Sequence, residues 1–118
     1  MGILVNMAIE DIKDRVLLLN INQTYHEGMP EDVVLAVACR AWAVDKKRKD
    51  GAKYALVVYK DEVKGVFKID SWHKDPVEPR KWAFKGEVAP EHIRDKYMGM
   101  RGVAWEQGQK TPFIYVNF

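Results

Sequence analysis

A single cysteine, no apolar run long enough to cross a bilayer and a near balance of charge are what this sequence has little of, and each excludes something. Cys39 can close no disulfide within the chain, so the fold must rest on its core, and a reducing compartment is the natural setting. Gly2–Val5 is too short for the apolar part of a secretory signal, so the chain reads as cytoplasmic, with no membrane partner. The net charge of +2 is too small to demand a polyanionic partner by itself. Motifs of catalysis are equally sparse. His26, His73 and His92 stand far apart with no ligand at helical spacing, no Ser sits in a Gly-flanked elbow, and Cys39 lies in an apolar run where a thiol is inert. The pairs Glu31-Asp32 and Asp61-Glu62 fall at a helix start and a turn, where capping or solvation accounts for them. No metal and no cofactor is expected, and an enzyme is the weaker class.

What is present begins with Tyr54–Trp72. Val63, Gly65, Phe67 and Ile69 alternate with Lys64, Lys68 and Asp70, which predicts a half-buried strand with those four residues on one side. Tyr54–Tyr59 before it is apolar on both faces and rich in β-branched and aromatic residues, as a strand covered twice should be. Lys60-Asp61-Glu62 between them makes the pair a hairpin.

Around that hairpin the chain divides without repeat or linker, so 118 residues make one domain. Met1–Asp14 carries little information. Val16–Asn22 predicts a strand on which Asn20 and Asn22 share a side, and Gln23–Met29 a loop broken at Gly28. Pro30, Glu31 and Asp32 suit a helix start, and the spacing predicts a helix whose body is Val33–Val44, ended by Lys46–Lys49 and Gly51. Because that body is apolar almost all round, it should be covered on more than one side, and Arg40 within it needs a partner. His73–Pro79 reads as a loop and Trp82–Val88 as a strand. Ala89-Pro90-Glu91 opens a short helix that Gly99 closes, with Ile93 and Tyr97 as an i, i+4 pair. Val103–Gln107 reads as a strand, Gly108–Thr111 as a turn and Phe113–Phe118 as a last strand, apolar enough to pair with a second copy and form a homodimer. Strands that follow one another as hairpins argue against a parallel βαβ sheet. The expected class is α+β: a small, mostly antiparallel, curved sheet or barrel with one long buried helix and one short one.

The aromatics carry the functional reading. Four Trp, five Tyr and four Phe place rings at the edges of these elements, beside cations and amides: Arg40, Arg80, Lys81, Lys85, Asn20, Asn22 and Asn117. Any one ring is ordinarily core or rim packing. Together, stacking surfaces, cations and hydrogen-bonding amides are what an unstacked or single-stranded base requires. In this reading Trp42 or Trp72 stacks the base, Asn20, Asn22 and Asn117 read its edge, and Arg40 with Lys46, Lys47, Arg48 and Lys49 holds phosphate.

The ordered set LLNIN-x-x-Y-x-x-GM, R-x-W, KYALVVYKDEVKGVFKIDSWH, WAFKGEVAPEHIRDKYMG and P-x-x-YVN resembles a conserved bacterial domain that commonly follows a GIY-YIG nuclease domain of the LEM-3-like group. The likeness runs from about Leu18 to Asn117. It departs from the family pattern at Gly99–Gly102 and Lys110–Pro112. The GIY-YIG catalytic residues are absent from this sequence, so the resemblance implies the companion module without cleavage. The helix, strand, turn and V-x-G-V-F-x-I succession looks like the PUA-like barrels of the ASCH and EVE kind, which implies a nucleotide or modified base held in a barrel-side cleft. By that analogy the cleft residues are Asn20, Asn22, Tyr25, Arg40, Trp42, Trp72, Trp82, Tyr115 and Asn117. The expected function is a non-catalytic nucleic-acid or nucleotide-binding module. A protein-interaction module for a nuclease or defence partner is the first alternative, and a small nucleotide-acting enzyme using His26 and Glu27, or His73 and Asp75, is the second.

Overall fold

The computed structural model describes residues 12–21, 25–45, 47–60, 62–100 and 113–117, and the backbone alone of Arg48. In chain order they form β1 (Val16–Asn20), α1 (Glu31–Ala38), a 3₁₀ turn (Arg48–Gly51), β2 (Tyr54–Tyr59), β3 (Glu62–Lys74), β4 (Trp82–Val88), α2 (Glu91–Tyr97) and β5 (Phe113–Val116). The strands make one mixed sheet in the order β4-β3-β2-β1-β5. The class is α+β. The expected elements at Val103–Gln107 and Gly108–Thr111 lie outside the described residues, as does Asp61 of the hairpin turn.

Apolar content decides which strands are central. Val16–Leu19 of β1 and Ala55–Val58 of β2 are buried throughout, which requires a cover on both faces of the sheet. One cover is α1, whose Val34 and Ala38 pack with Leu17, Leu19, Val57 and Phe84. The other is α2, whose Ile93 and Tyr97 pack with Val16, Leu18, Leu56 and Val66. Arg94 of α2 pairs with Glu31 at the start of α1, tying the two covers together.

Three sequence-based expectations are corrected here. First, β1 and β2 are parallel and α1 lies in the crossover between them, so the sheet does contain one βαβ unit and is mixed. Strands apolar on both faces belong side by side in the middle of a doubly covered sheet, and a parallel pair needs such a crossover.

Second, α1 ends at Ala38, well short of Val44, and only Val34 and Ala38 along it are buried. Ala41 takes a left-handed φ of 66°, which turns the chain out of the helix. Trp42 then exchanges backbone hydrogen bonds with Trp82 at 2.9 and 2.8 Å. Extended pairing against β4 competes with helix for this valine-rich run and takes its second half. The pairings of the described strands run as an open series, and the outer edge of β4 is met by this Cys39–Trp42 stretch.

Third, β3 does not hold one side from Val63 to Ile69. The register shifts at Val57/Val58, where Gly65 and Val63 face consecutive residues of β2, and again between Ile69 and Ser71. Each extra residue reverses which face the strand presents. Val63 therefore packs on the α2 side, whereas Phe67 and Ile69 pack on the α1 side. The second bulge brings Trp72 back to the α1 side as well.

The hairpin of β2 and β3, the strand β4 and the second helix stand where the sequence places them. Pro90 caps α2, Glu91 opens it, and Gly99 leaves it at φ 80°.

Candidate functional site

The charge that the sequence leaves in an apolar neighbourhood has its partner. Arg40, just past α1, donates from Nε to Asp75 Oδ1 at 3.0 Å and from Nη2 to Oδ2 at 2.8 Å. The Asp75 side chain is wholly buried, while that of Arg40 remains 43% exposed. Oδ2 also accepts the backbone N–H groups of Val77 and Glu78. The carboxylate thus fixes both the guanidinium and the 75–78 turn that follows β3. Its hydrogen bonds to Arg40, supported by those two N–H groups, hold the Asp75 carboxyl well below the usual carboxylate range. A base so deeply stabilised as the anion does not take up protons near neutrality, so the pairing of His73 with Asp75 as acid and base has no support in this geometry.

Beside this clamp lies a cavity of about 500 Å³ between the end of α1 and β4. Leu35, Pro76, Ala83 and Phe84 give it an apolar lining, Gly86 lies where a Cβ would clash with the Lys68 carbonyl, and Arg40, His73 and Lys85 also line it. Among the described residues no Asp or Glu lines it. Cys39 also faces it; burial pushes its thiol up, and Sγ donates to the Ala36 carbonyl at 3.4 Å, so it is not poised as a nucleophile.

The tryptophans surround the region in unequal ways. Trp42 is only 7% exposed, its Nε1 donates to the Ala38 carbonyl at 2.6 Å, and its ring meets Phe113 edge-on at 6.3 Å. It is a core residue with no face left to stack on. Trp72 is half-buried against Phe84, a lining residue of the cavity, with ring centroids 5.3 Å apart. Its Nε1 is buried without an acceptor among the described residues. Trp82, also half-buried, has the Lys49 ammonium 4.3 Å and the Lys74 ammonium 4.2 Å from its ring centroid. Lys49 itself is buried and bonded to Asp50, which removes it from the set of exposed phosphate contacts, whereas Lys47 is exposed.

The remaining candidates do not converge. Tyr25 packs on Tyr59 at 4.6 Å, beside Lys64. Tyr115 accepts the Asp45 N–H through its hydroxyl and meets Phe113 edge-on. Asn117 donates to the carbonyls of Ile12 and Asp14, which precede β1, whereas Asn20 ends that strand; the five-residue strand separates the two amides by about 16 Å. They cannot read one base edge together. Asn22, Lys46 and the Arg48 side chain lie outside what is described.

Of the sequence-based candidates, then, the structure gathers Arg40, Trp72 and Lys85 at one place. Leu35, Pro76, Ala83, Phe84 and Gly86 are the lining residues that sequence reasoning missed. The available signal was the unpaired Arg40 together with a Trp–His–Lys–Asp–Pro turn able to supply its partner. Among the described residues no group of three His, Cys, Asp or Glu is placed to hold a metal ion, and no helix is long and apolar enough to cross a membrane. No family model matches the chain, and no curated protein or solved structure was found to resemble it.

Proposed function

We propose that this protein is a non-catalytic nucleotide or nucleic-acid-binding module whose base-binding site is the cavity between α1 and β4. The observation that carries the proposal is the composition of that cavity: an apolar lining of the size that small ligands occupy, with three nitrogen-bearing side chains and, among the described residues, no carboxylate. A base held against Leu35 and Phe84 would leave its phosphate to Arg40, His73 and Lys85. Arg40 is already oriented by Asp75, so little side-chain entropy is lost when it accepts an anion. Trp82 of β4 and Lys74 of β3 lie close by, as an aromatic and cationic flank.

The PUA-like and nuclease-associated readings belong to the same proposal. A mixed sheet whose outer strand is met by the stretch after α1 supports a curled architecture, and such a module would serve a nuclease partner by holding its ligand. A reducing cytoplasm as its setting is likewise proposed, on the strength of the lone Cys39.

The test is titration of intrinsic tryptophan fluorescence at low salt with mononucleotides, single-stranded DNA and RNA, and duplex DNA. Trp72 rests on Phe84 and so reports on occupancy. Saturable quenching is expected, weakened roughly ten- to a hundredfold by Lys85→Glu, since a charged contact to phosphate is worth about 1.5–3 kcal/mol. No saturable response from any ligand would overturn the proposal.

A further inference from the structure

A second concavity, of about 540 Å³, opens at the end of the sheet where β1 and β2 begin. It is lined by Lys13, Asp14, Arg15, Asp50, Gly51 and Lys53, so three cations and two carboxylates meet there. The carboxylates are engaged by other groups. Asp14 Oδ2 accepts the Tyr97 hydroxyl at 2.5 Å and lies 3.6 Å from Lys96 Nζ. Asp50 Oδ1 lies 2.8 Å from Lys49 Nζ, and Lys49 is buried under Trp82. Neither Arg15 nor Lys53 forms an ion pair among the described residues, and both are exposed.

The walls of this cleft are held by backbone and amide bonds. The Lys53 N–H donates to the Arg15 carbonyl at 2.9 Å, and the Lys53 carbonyl accepts the Ile69 N–H at 3.0 Å. Asn117 donates to Ile12 O at 2.7 Å and Asp14 O at 2.8 Å, pinning the segment that carries Lys13 and Arg15. Lys13, Arg15 and Lys53 outnumber Asp14 and Asp50 in this lining, and an anion placed between the exposed Arg15 and Lys53 relieves their mutual repulsion.

We infer that the Arg15–Lys53 cleft binds a backbone phosphate of single-stranded nucleic acid. The inference rests on the nucleotide-binding reading and makes its ligand a strand held at two places: a base in the α1–β4 cavity and a phosphate at the start of β1 and β2. Lys49 and Asp50 connect the two regions, since Lys49 lies on Trp82 while its neighbour Asp50 lines the cleft. A free mononucleotide would occupy the cavity alone.

The test compares thymidine monophosphate with an oligothymidylate of about twelve nucleotides, a length within the usual site size of such domains. Wild-type protein, the double variant Arg15→Ala/Lys53→Ala and the charge-preserving Arg15→Lys/Lys53→Arg are titrated across a salt series. The expected result is tighter binding of the oligonucleotide than of the monophosphate. The alanine pair should lower the slope of log affinity against log salt by about 0.7, the contribution of one single-strand phosphate contact. The charge-preserving pair should keep the wild-type slope, and monophosphate affinity should be the same in all three. Oligonucleotide binding with an unchanged slope in the alanine pair, or no tighter than the monophosphate, overturns this inference and leaves the cavity reading standing. No binding of either ligand overturns both. Both positions are exposed, and far-UV circular dichroism checks that each variant is folded.

Discussion

Trp42 and Trp82 exchange both of their backbone hydrogen bonds, and this pair joins the stretch leaving α1 to the outer edge of β4. One side of the α1–β4 cavity is thereby fixed by main chain, since Cys39 and Arg40 enter it from the same short stretch, where the Cys39 carbonyl also accepts the Phe84 N–H. Trp42 reaches further, because its ring touches Phe113 of β5 at the opposite side of the sheet. Replacing Trp42 by Ala should therefore destabilise the fold by about 3–5 kcal/mol, the usual range for deleting a buried large aromatic. Denaturant unfolding checks this; a loss below about 1 kcal/mol would show that the ring is not a core element.

Asp75 sets an acid limit on the same region. Its pKa is depressed in the folded protein, so its contribution is fully present above the unfolded value near 3.9 and is lost as pH falls through the folded value. Wild-type stability should decline below about pH 4. Asp75→Asn should be less stable at pH 7, because it removes the charge that compensates Arg40, and should show a flatter profile in acid. Parallel stability profiles for the two proteins would contradict the assignment.

The bulge between Ile69 and Ser71 makes a sharper demand. Deleting Asp70 should leave a regular ladder in which Ser71 still faces Lys85 and Trp72 still faces Phe84. The expected readout is an unchanged tryptophan emission maximum in a folded protein. A red shift would mean that the bulged residue itself is needed to hold Trp72 on Phe84.

Much of the fold was legible in the sequence wherever one local signal met no competitor. The β2–β3 hairpin, β4 and α2 follow from periodicity, polar turns and the Pro90 and Gly99 punctuation. The Val33–Val44 run was misjudged because helix and strand propensity are close for valines, and pairing with Trp82 decided between them. The only marks of the two bulges of β3 are glycines, Gly65 beside the first and Gly86 opposite the second, and strict alternation across Val63–Ile69 outweighs them in the sequence. The candidate site was half legible: Arg40 announced its need for a partner, but Asp75 stood in an apparent loop. The aromatic residues were the poorest guide, because Trp42 and Tyr115 look as suited to a ligand as Trp72 does until burial separates them.

The cations over Trp82 give a smaller effect. Lys74→Met should change tryptophan emission while costing no more than about 1 kcal/mol of stability, as expected for an exposed cation above an indole. A large loss of stability would assign Lys74 a structural part beyond that contact.

In the proposed function, the cavity between α1 and β4 receives a base and its phosphate. The most direct test is a two-dimensional amide NMR titration with a mononucleotide at low salt. Saturable shifts are expected, concentrated at Cys39, Arg40, His73, Lys85 and Gly86, with Asn20 and Tyr25 unmoved. Shifts clustered at Tyr25, Tyr59 and Asn20 instead, or no saturable shift at all, would contradict it.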